Sequence, residues 1–369
     1  MTINSKDSDI YFMRKALILA KKGLGKVSPN PMVGAVIVKD GVIVAKGYHK
    51  RFGGPHAEIE ALKQLKQSGG DTRGATFYIT LEPCCHYGKT PPCTDAIIRE
   101  NFSKIVVCNT DPNPLVNGKG IQILKEHGFT VVTGILEHEG RKLNYAYFKY
   151  IKTKMPFITV KLAQSLDGKI ATASGNSKWI SSKPSLKVAH QLRREHDCVM
   201  VGIKTVIKDN PLLTVREVKG KSPLRIVLDT NLNIPLDAKI LNKDLPGDTI
   251  IVTAKDVDLK KVSILKNNGI KLLQVKKDDK GKIDLFDLFY SLGRQGISSI
   301  LVEGGGEVVY SLLKKRMVDR LILFIAPKII GYGIGWAFDF GVKNMEDVLR
   351  FDHFKFKKLG DDILFEGWF

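Results

Sequence analysis

The feature that most constrains this chain is a set of one histidine, one glutamate and two cysteines, spread over two segments. His56 and Glu58 stand in a His-Ala-Glu triplet, and Cys84 and Cys93 each follow a proline. One imidazole and two thiolates supply three protein ligands for Zn²⁺, and a catalytic zinc keeps its fourth position open for water. We therefore predict a metal site built from His56, Cys84 and Cys93, in a fold that brings these two segments together.

Glu58 is not needed as a ligand, so we predict it to be the catalytic group that moves protons to and from a water at the zinc. His-x-Glu followed by Pro-Cys-x-x-Cys is typical of zinc-dependent deaminases. In this chain eight residues, not two, separate the two cysteines. The alternative is a structural zinc with four protein ligands, the fourth supplied by Cys85 or His86, or no metal at all.

Composition indicates an ordinary globular protein. The 369 residues favour two domains, and 43% hydrophobic and 26% charged residues are typical of globular chains. No run of about 18 apolar residues occurs, and the N-terminus is polar, so we expect neither a membrane span nor a secretory signal. Five cysteines do not make a disulfide framework. We therefore expect a cytoplasmic protein with no membrane partner.

The net charge of +20 has two interpretations. A basic surface can bind nucleic acid through its phosphates. Alternatively, the charge is solvated and dispersed, and serves a phosphorylated substrate. Basic residues occur in scattered pairs such as Lys21-Lys22 and Lys314-Lys315, without a long block. This spread favours the second interpretation, so we expect no specific nucleic-acid partner.

The N-terminal part, residues 1–145, alternates strand and helix patterns and is predicted to be an α/β domain. His56 and Cys93 are expected at two helix N-termini, where backbone N–H groups favour thiolates and carboxylates. The predicted elements are a helix from Ile10 to Ala20, a hairpin of Val33–Val38 and Val42–Ala45, a helix from about Pro55 to Gln67, a strand at Ala75–Thr80, a helix opening at Cys93, and strands at Lys104–Cys108 and Phe129–Thr133 with a short helix near Ile121–Glu126 between them.

Residues 146–154 show no usable periodicity and are predicted to connect two domains. Residues 155–369 are predicted to form a second α/β domain. Its expected strands are Phe157–Leu162, Cys198–Val201, Arg225–Leu228, Ile250–Val252, Lys271–Val275, Ile300–Val302 and Leu321–Ile325, and its expected helices lie near Pro184–Glu195, Leu285–Leu292 and Val308–Lys315. Glycines 304–306 open a helix after a strand. They form either a flexible turn or a cradle in which backbone N–H groups approach a phosphate.

These motifs resemble the family of bifunctional riboflavin-biosynthesis enzymes that join a pyrimidine deaminase to a reductase. The resemblance covers nearly the whole chain. Its motifs are Pro29-Asn30-Pro31-Met32-Val33-Gly34, the zinc segment Thr80–Cys93 with its long spacing, Asp111-Pro112-Asn113-Pro114, Lys161–Lys169, Ser177–Ser181, Asp209–Arg216 and Glu303–Gly306. Cys85 departs from the pattern, which has serine at this position.

The resemblance implies a cytidine-deaminase-like three-layer α/β domain followed by a dihydrofolate-reductase-like α/β domain. It implies zinc-dependent hydrolytic deamination of 2,5-diamino-6-(ribosylamino)-4(3H)-pyrimidinone 5′-phosphate, and then reduction of the ribosyl group to ribityl by NADPH. A homo-oligomer is expected. Alternatives are a nucleic-acid deaminase, such as a tRNA adenosine deaminase, and a non-catalytic zinc-stabilised binding module.

Site residues carry over by the same resemblance. The substrate contacts implied are Asn30 and His49 in the deaminase domain and Ser177, Arg193, Leu213, Arg216 and Glu303 in the reductase domain. The NADPH contacts implied are Ala163, Trp179, Thr205, Asp209, Asp229, Gly305, Gly306, Glu307, Val308, Val309, Tyr310 and Ser311. Of these, Arg193 and Arg216 also have a physical basis, because guanidinium groups suit a ribose phosphate.

Overall fold

The protein is described by a computed structural model that covers residues 5–88, 90–337 and 339–369. It divides into two compact units, Met1–Lys154 and Met155–Phe369. The first four residues of the predicted N-terminal domain and Lys89 of the zinc segment lie outside the described residues. Within these three ranges, every helix is too short or too polar to cross a membrane.

The first unit is built on a five-stranded sheet in the order β2-β1-β3-β4-β5. β1 pairs antiparallel with β2 and β3, whereas β3, β4 and β5 are parallel. The elements are α1 (Ser5–Ala20), β1 (Gly34–Lys39), β2 (Val42–Tyr48), α2 (Ala57–Gln67), β3 (Thr76–Leu81), α3 (Cys93–Ile98), β4 (Lys104–Asn109), α4 (Lys119–Glu126), β5 (Thr130–Thr133), α5 (Glu137–Leu143) and α6 (Tyr145–Thr153).

Helices cover both faces of this sheet, so the unit has three layers. Alternation along β1 sends Ala35 and Ile37 to the core under α2, α3 and α4, and Val36 and Val38 to the core under α1. Gly47 on β2 lets α2 approach closely, because a Cβ there would lie 2.2 Å from the carbonyl oxygen of Ala57. This approach fixes the start of α2, where His56 is located.

Residues 146–154, predicted to connect the two domains, are almost entirely helical. This segment forms most of α6, which clusters with the first unit up to Lys154. Tyr147 of α6 is buried, and its hydroxyl donates to both carboxylate oxygens of Asp111, at 2.9 and 3.0 Å. The helix is held by this long-range contact, so its sequence needs no strong amphipathic period.

The second unit contains a nine-stranded sheet in the order β11-β10-β9-β8-β12-β6-β13-β16-β15, and a separate ribbon of β7 and β14. The elements are β6 (Phe157–Ser165), β7 (Lys169–Thr172), α7 (Lys183–Glu195), β8 (Cys198–Gly202), α8 (Ile203–Asp209), β9 (Leu224–Leu228), β10 (Thr249–Thr253), α9 (Leu259–Asn267), β11 (Lys271–Gln274), α10 (Leu285–Arg294), β12 (Ser299–Glu303), α11 (Gly306–Lys314), β13 (Arg320–Ala326), β14 (Gly333–Gly335), β15 (His353–Leu359) and β16 (Asp362–Trp368).

Seven neighbouring strands, from β11 to β13, run parallel, and β16 and β15 add an antiparallel hairpin. α10 and α11 pack on one face, and α7, α8 and α9 pack on the other. The chain leaves β6, passes to β8, and later returns to place β12 between these two strands. Ligands of open parallel sheets bind at the carboxyl ends of strands beside such a reversal.

Candidate active sites

The three predicted metal ligands meet at one point in the first unit. Their donor atoms, the Nδ1 of His56 and the two sulfurs, all lie within 4.8 Å of one another. His56 is the N-cap residue of α2, Cys93 is the first residue of α3, and Cys84 follows the end of β3. The predicted placement at two helix N-termini is therefore what the structure shows.

This donor set fits a zinc ion. The His56 Nδ1 is 3.2 Å from the Cys93 sulfur and 3.5 Å from the Cys84 sulfur. Tetrahedral zinc with ordinary Zn–N and Zn–S bonds places nitrogen and sulfur ligands about 3.6 Å apart. The Cys93 backbone N–H donates to the Cys84 sulfur at 3.3 Å. The hydrogen bond from the Cys93 thiol is the main cause that lowers the pKa of Cys84 to about 4, which favours the thiolate.

Glu58 lies in the first turn of α2 beside this cluster. Its side chain is 3% exposed, and its Oε2 has no hydrogen-bond partner among the described residues. Burial raises the pKa of this carboxyl to about 7. A buried carboxylate oxygen without a partner is costly, so its natural role is to bind a group that comes from outside the chain.

The two predicted substrate residues of this unit lie together next to the cluster. His49 donates from Nδ1 to the Pro55 carbonyl at 3.0 Å and accepts at Nε2 from the Asn30 amide at 3.2 Å. Its ring meets that of His56 edge-on, with centroids 5.5 Å apart. The His49 side chain is 2% exposed, and burial lowers its pKa.

Sequence reasoning missed the role of Glu82. Its buried carboxylate accepts hydrogen bonds from the backbone N–H groups of Asp111, Gly118 and Ile121, at 3.0, 2.9 and 3.1 Å. These contacts hold the loop before α4 against the segment that carries Cys84. A charged residue directly after an apolar strand was the available signal, because buried carboxylates need several donors.

The remaining thiols stay outside the cluster. Neither Cys85 nor His86 belongs to the group of donors that converge on the site within the described residues. The Cys85 sulfur instead lies 3.7 Å from the Leu115 carbonyl oxygen. Cys108 and Cys198 are fully buried in strands β4 and β8. Among the described residues, no fourth His, Cys, Asp or Glu side chain therefore joins His56, Cys84 and Cys93 in this cluster.

The second unit has a cavity of about 2130 Å³ at the carboxyl ends of β6, β8 and β12. Most of the residues that the resemblance implies for this domain line it. They are Ala163, Ser177, Trp179, Thr205, Asp209, Asp229, Gly305, Gly306, Glu307, Val308, Tyr310 and Ser311. Gly304 and Gly305 turn the chain from β12 into α11 with φ of 68° and 76°, beside the Thr205 hydroxyl.

Two implied contacts point away from this cavity. Val309 is fully buried in the core beneath α11, and Leu213 is 4% exposed in the core on the opposite face. Successive side chains of a helix point in different directions, which explains why Val309 is buried while its neighbours Val308 and Tyr310 line the cavity. The ligand contacts implied for Val309 and Leu213 stay predictions, and because both side chains are buried, their backbone atoms would have to make these contacts.

Arg193 and Glu303 form a bidentate ion pair, with Nε–Oε1 at 2.5 Å and Nη2–Oε2 at 3.0 Å. Lys161, on β6, adds a third charge at 3.1 Å from Glu303 Oε2, and it lines the cavity. Burial alone would raise the pKa of Glu303, but Arg193 and Lys161 bring it far below its usual range. Sequence reasoning missed Lys161, whose signal was a charge in the middle of an apolar strand.

Arg216 and Asp229 are held by local contacts. The Arg216 backbone N–H donates to His190 Nδ1 at 3.0 Å, and its guanidinium donates to the Thr214 hydroxyl at 2.7 Å. Asp229 is fully buried and accepts from the backbone N–H groups of Asn233 and Ile234 at 2.8 and 2.7 Å. Asp229 therefore shapes the loop after β9, at the edge of the cavity.

Comparison with known proteins places both halves of the chain. Residues 6–109 match the cytidine and deoxycytidylate deaminase zinc-binding region, and residues 156–365 match the RibD C-terminal domain. The riboflavin biosynthesis protein RibD of Aquifex aeolicus is 47% identical over 360 residues, covering 97% of this chain and 98% of that protein. The RibD of Escherichia coli is 37% identical over 369 residues, covering 96% and 98%.

Solved structures agree. The diaminohydroxyphosphoribosylaminopyrimidine deaminase/5-amino-6-(5-phosphoribosylamino)uracil reductase of Thermotoga maritima matches with a TM-score of 0.86 and 36% identity, covering 99% of both chains. Acinetobacter baumannii RibD matches with the same TM-score and identity, covering 98% of this chain and 99% of that one.

The fold and the sites thus define a two-domain enzyme, a zinc-dependent deaminase joined to an α/β reductase. The predicted α/β fold class is confirmed for both domains, the first as a cytidine-deaminase-like domain and the second as a RibD C-terminal reductase domain. The chain belongs to the RibD family, and it is a bifunctional deaminase and reductase of riboflavin biosynthesis. The nucleic-acid deaminase and the non-catalytic zinc module are therefore set aside.

Proposed function

We propose that the first unit deaminates 2,5-diamino-6-(ribosylamino)-4(3H)-pyrimidinone 5′-phosphate, and that the second unit reduces the product with NADPH. The observation that carries the proposal is the convergence of the His56, Cys84 and Cys93 donor atoms within 4.8 Å, beside a buried Glu58 oxygen that has no partner among the described residues. Residues 1–154 and 155–369 are proposed as the two catalytic domains, since the chain clusters into units with this boundary.

In the deaminase, His56, Cys84 and Cys93 would hold the zinc, which when bound lowers the pKa of a water molecule. Glu58 accepts a proton from this water as the water oxygen bonds to the amino-bearing ring carbon. The same carboxyl then returns the proton to the departing nitrogen, so that the C–N bond breaks and ammonia leaves. The partnerless oxygen and the burial of Glu58 both suit a group that carries a proton between two bound species.

Asn30 and His49 are proposed to orient the pyrimidine. The hydrogen bond of the Asn30 amide nitrogen to His49 leaves the amide oxygen as an acceptor for a ring substituent N–H. The bond of His49 to the Pro55 carbonyl fixes its neutral tautomer. Because Pro55 directly precedes His56, this contact also sets the distance between the substrate-binding residues and the metal ligands.

In the reductase, NADPH supplies the hydride when bound, and this chain provides a cavity, charges and orientation. The cavity of about 2130 Å³ accommodates both a dinucleotide and a ribotide. Arg216 is exposed and is proposed to bind the substrate phosphate. Arg193 is committed to Glu303 by two hydrogen bonds, so its proposed role is to hold Glu303 and, through it, the Lys161 ammonium at the cavity wall.

Incubation of purified protein with the diaminopyrimidine ribotide, with and without NADPH, tests both steps. Mass spectrometry should show the deaminated ribosyl compound without NADPH and the ribityl compound with it. The Glu58→Gln variant should retain stoichiometric zinc but lose ammonia release by at least about a hundredfold, since general acid–base groups contribute that much or more. Reduction of supplied deaminated intermediate should continue at the wild-type rate.

The ligand assignment has a separate test. The His56→Ala variant should contain less than stoichiometric zinc by metal analysis, and the exposed His127, changed in the same way, should leave zinc unaltered. Full zinc content in His56→Ala would contradict the ligand set. Loss of both activities in folded Glu58→Gln would contradict separate roles for the two units. The expected homo-oligomer stays a prediction, which analytical ultracentrifugation can check.

A further inference from the structure

The segment 177–182 of the second unit has no helix or strand, yet it forms part of the cavity wall. Ser177 and Trp179 line the cavity, and the Trp179 indole is 72% exposed. Its backbone is held by a side chain from a distant part of the chain. The Lys328 ammonium donates to the carbonyl oxygens of Trp179 and Ile180, at 2.8 and 2.9 Å.

The backbone at Lys328 is itself held in place by contacts with the end of β6. Lys328 lies two residues beyond β13, whose last residues pair with the end of β6. The Lys328 carbonyl oxygen accepts from the Leu166 backbone N–H at 2.8 Å. The Asp167 carboxylate then accepts from the backbone N–H groups of Ile330 and Gly331, at 3.1 and 2.8 Å. The backbone around Lys328 is therefore tied to the turn after β6.

The other end of the segment is also held. The Ser182 backbone N–H and its hydroxyl both donate to Asp362 Oδ2, each at 2.8 Å. Lys328 thus fixes the backbone in the middle of the segment, at Trp179, whose side chain faces the cavity. A charged donor suits this task, because hydrogen bonds to an ammonium are stronger than those between neutral groups.

We propose that Lys328 is a positioning residue of the reductase, which holds the Trp179–Ile180 backbone so that Trp179 meets the bound cofactor. The inference rests on the proposed assignment of this cavity to NADPH. Lys328 also lines the cavity, next to the carbonyl groups that it binds. Its loss would release the segment and leave β6, β8 and β12 in place, so the effect should fall on cofactor binding.

The test compares Lys328→Met and Lys328→Arg with wild-type enzyme, with Lys271→Met as the matched control. Lys271 is an exposed lysine that pairs with Asp248 at 2.6 Å on β11 and does not line the cavity. NADPH binding is followed by quenching of tryptophan fluorescence, and the Trp179→Phe variant identifies the share of the signal that comes from Trp179. Steady-state reduction gives KM and kcat, and ammonia release checks the other unit.

Lys328→Met should raise the Kd and KM for NADPH by about tenfold or more, the size expected for charge-assisted hydrogen bonds, with kcat within about twofold. The Trp179 share of the quenching should fall, Lys328→Arg should recover most of the affinity, and Lys271→Met should match wild type. Ammonia release should be unchanged throughout.

Wild-type NADPH affinity and quenching in Lys328→Met would overturn the assignment while leaving the proposed function intact. An equal loss in Lys328→Arg, with a lowered melting temperature in both variants, would also overturn it, because that pattern indicates a structural role. If the wild-type enzyme neither binds nor oxidises NADPH, the proposed function fails, and the role of Lys328 fails with it.

Discussion

Glu82 and Ile121 are joined by a hydrogen bond of 3.1 Å from the Ile121 backbone N–H to Glu82 Oε1, across 39 residues of sequence. The second oxygen of Glu82 accepts from the Asp111 and Gly118 backbone N–H groups. Glu82 is thus the contact through which the segment before Cys84 and the loop before α4 keep one arrangement. The contribution of a buried carboxylate to a fold depends strongly on the backbone donors that it satisfies.

Replacement of Glu82 by Gln should disturb the zinc site without touching a ligand. The amide NH₂ would face backbone donors, so we expect a loss of about 2–4 kcal/mol in the free energy of unfolding of the first unit. Zinc affinity should fall about tenfold, as for other residues that orient metal ligands. Urea unfolding by circular dichroism and chelator competition measure the two effects. The exposed Glu126, changed to Gln, should show neither.

The metal site was predictable from sequence because its ligands carry their own local signals. A proline precedes each of the ligands Cys84, Cys93 and His56, and two of the three ligands stand at helix N-termini. The long spacing between Cys84 and Cys93 identified the family. Chemistry that needs particular residue types at a helix start is thus visible without coordinates.

Long-range partners were not predictable in this way. The sequence favours a connector at 146–154, because the hydrogen bonds from Tyr147 to Asp111 span 36 residues and leave no periodic pattern. The burial of Val309 and Leu213 depends on which face of the sheet each element covers, which a resemblance of motifs does not contain. The hairpin β15–β16 lies beyond the last predicted strand, and it supplies Asp362 to the loop before α7.

Tyr147 gives a direct test of the place of α6 in the first unit. The Tyr147→Phe variant removes both hydrogen bonds to the buried Asp111 carboxylate and should cost about 1–3 kcal/mol in free energy of unfolding. Amide hydrogen exchange should quicken along α6. Tyr11, which is 53% exposed, serves as the control when changed to Phe. Unchanged exchange in α6 would show that this helix is held by other contacts.

Substitution of Glu303 should affect the reductase activity and leave the deaminase activity in place. The Glu303→Gln variant breaks the bidentate pair with Arg193 and the contact with Lys161, and it leaves Arg193 without its buried counter-charge. We expect reduction to fall more than about a hundredfold, the scale of a lost preorganised charge at an active site, while ammonia release stays within about twofold. Tryptophan fluorescence checks the fold of the second unit, and the exposed Glu346→Gln variant should retain both activities.

His190 gives a pH dependence to the stability of the second unit. It is 1% exposed, and its Nδ1 accepts from the Arg216 backbone N–H at 3.0 Å. Burial, helped by the charges of Arg193 and Arg216 and opposed by Glu303 and Glu217, lowers the pKa of His190 to about 4. Protonation would remove the acceptor that Arg216 requires, so the folded state favours the neutral ring.

The direction in which stability changes with pH depends on the unfolded chain, where the pKa of a histidine is about 6.5. Above that pH, His190 is neutral in both states and its contribution to stability is fully present. As the pH falls from about 6.5 towards 4, only the unfolded state gains the proton, so the free energy of unfolding decreases, by at most about 3 kcal/mol.

The His190→Asn variant isolates this contribution, because the Asn side-chain oxygen can accept from the Arg216 N–H but does not titrate. All three tryptophans, Trp179, Trp336 and Trp368, lie in the second unit, so urea unfolding followed by fluorescence reports on that unit alone. Between pH 6.5 and 4.5 the variant should lose less stability than wild type. The remaining slope comes partly from His196, whose pKa burial also lowers to about 4. Equal slopes in the two proteins would show that the protonation of His190 is not coupled to unfolding.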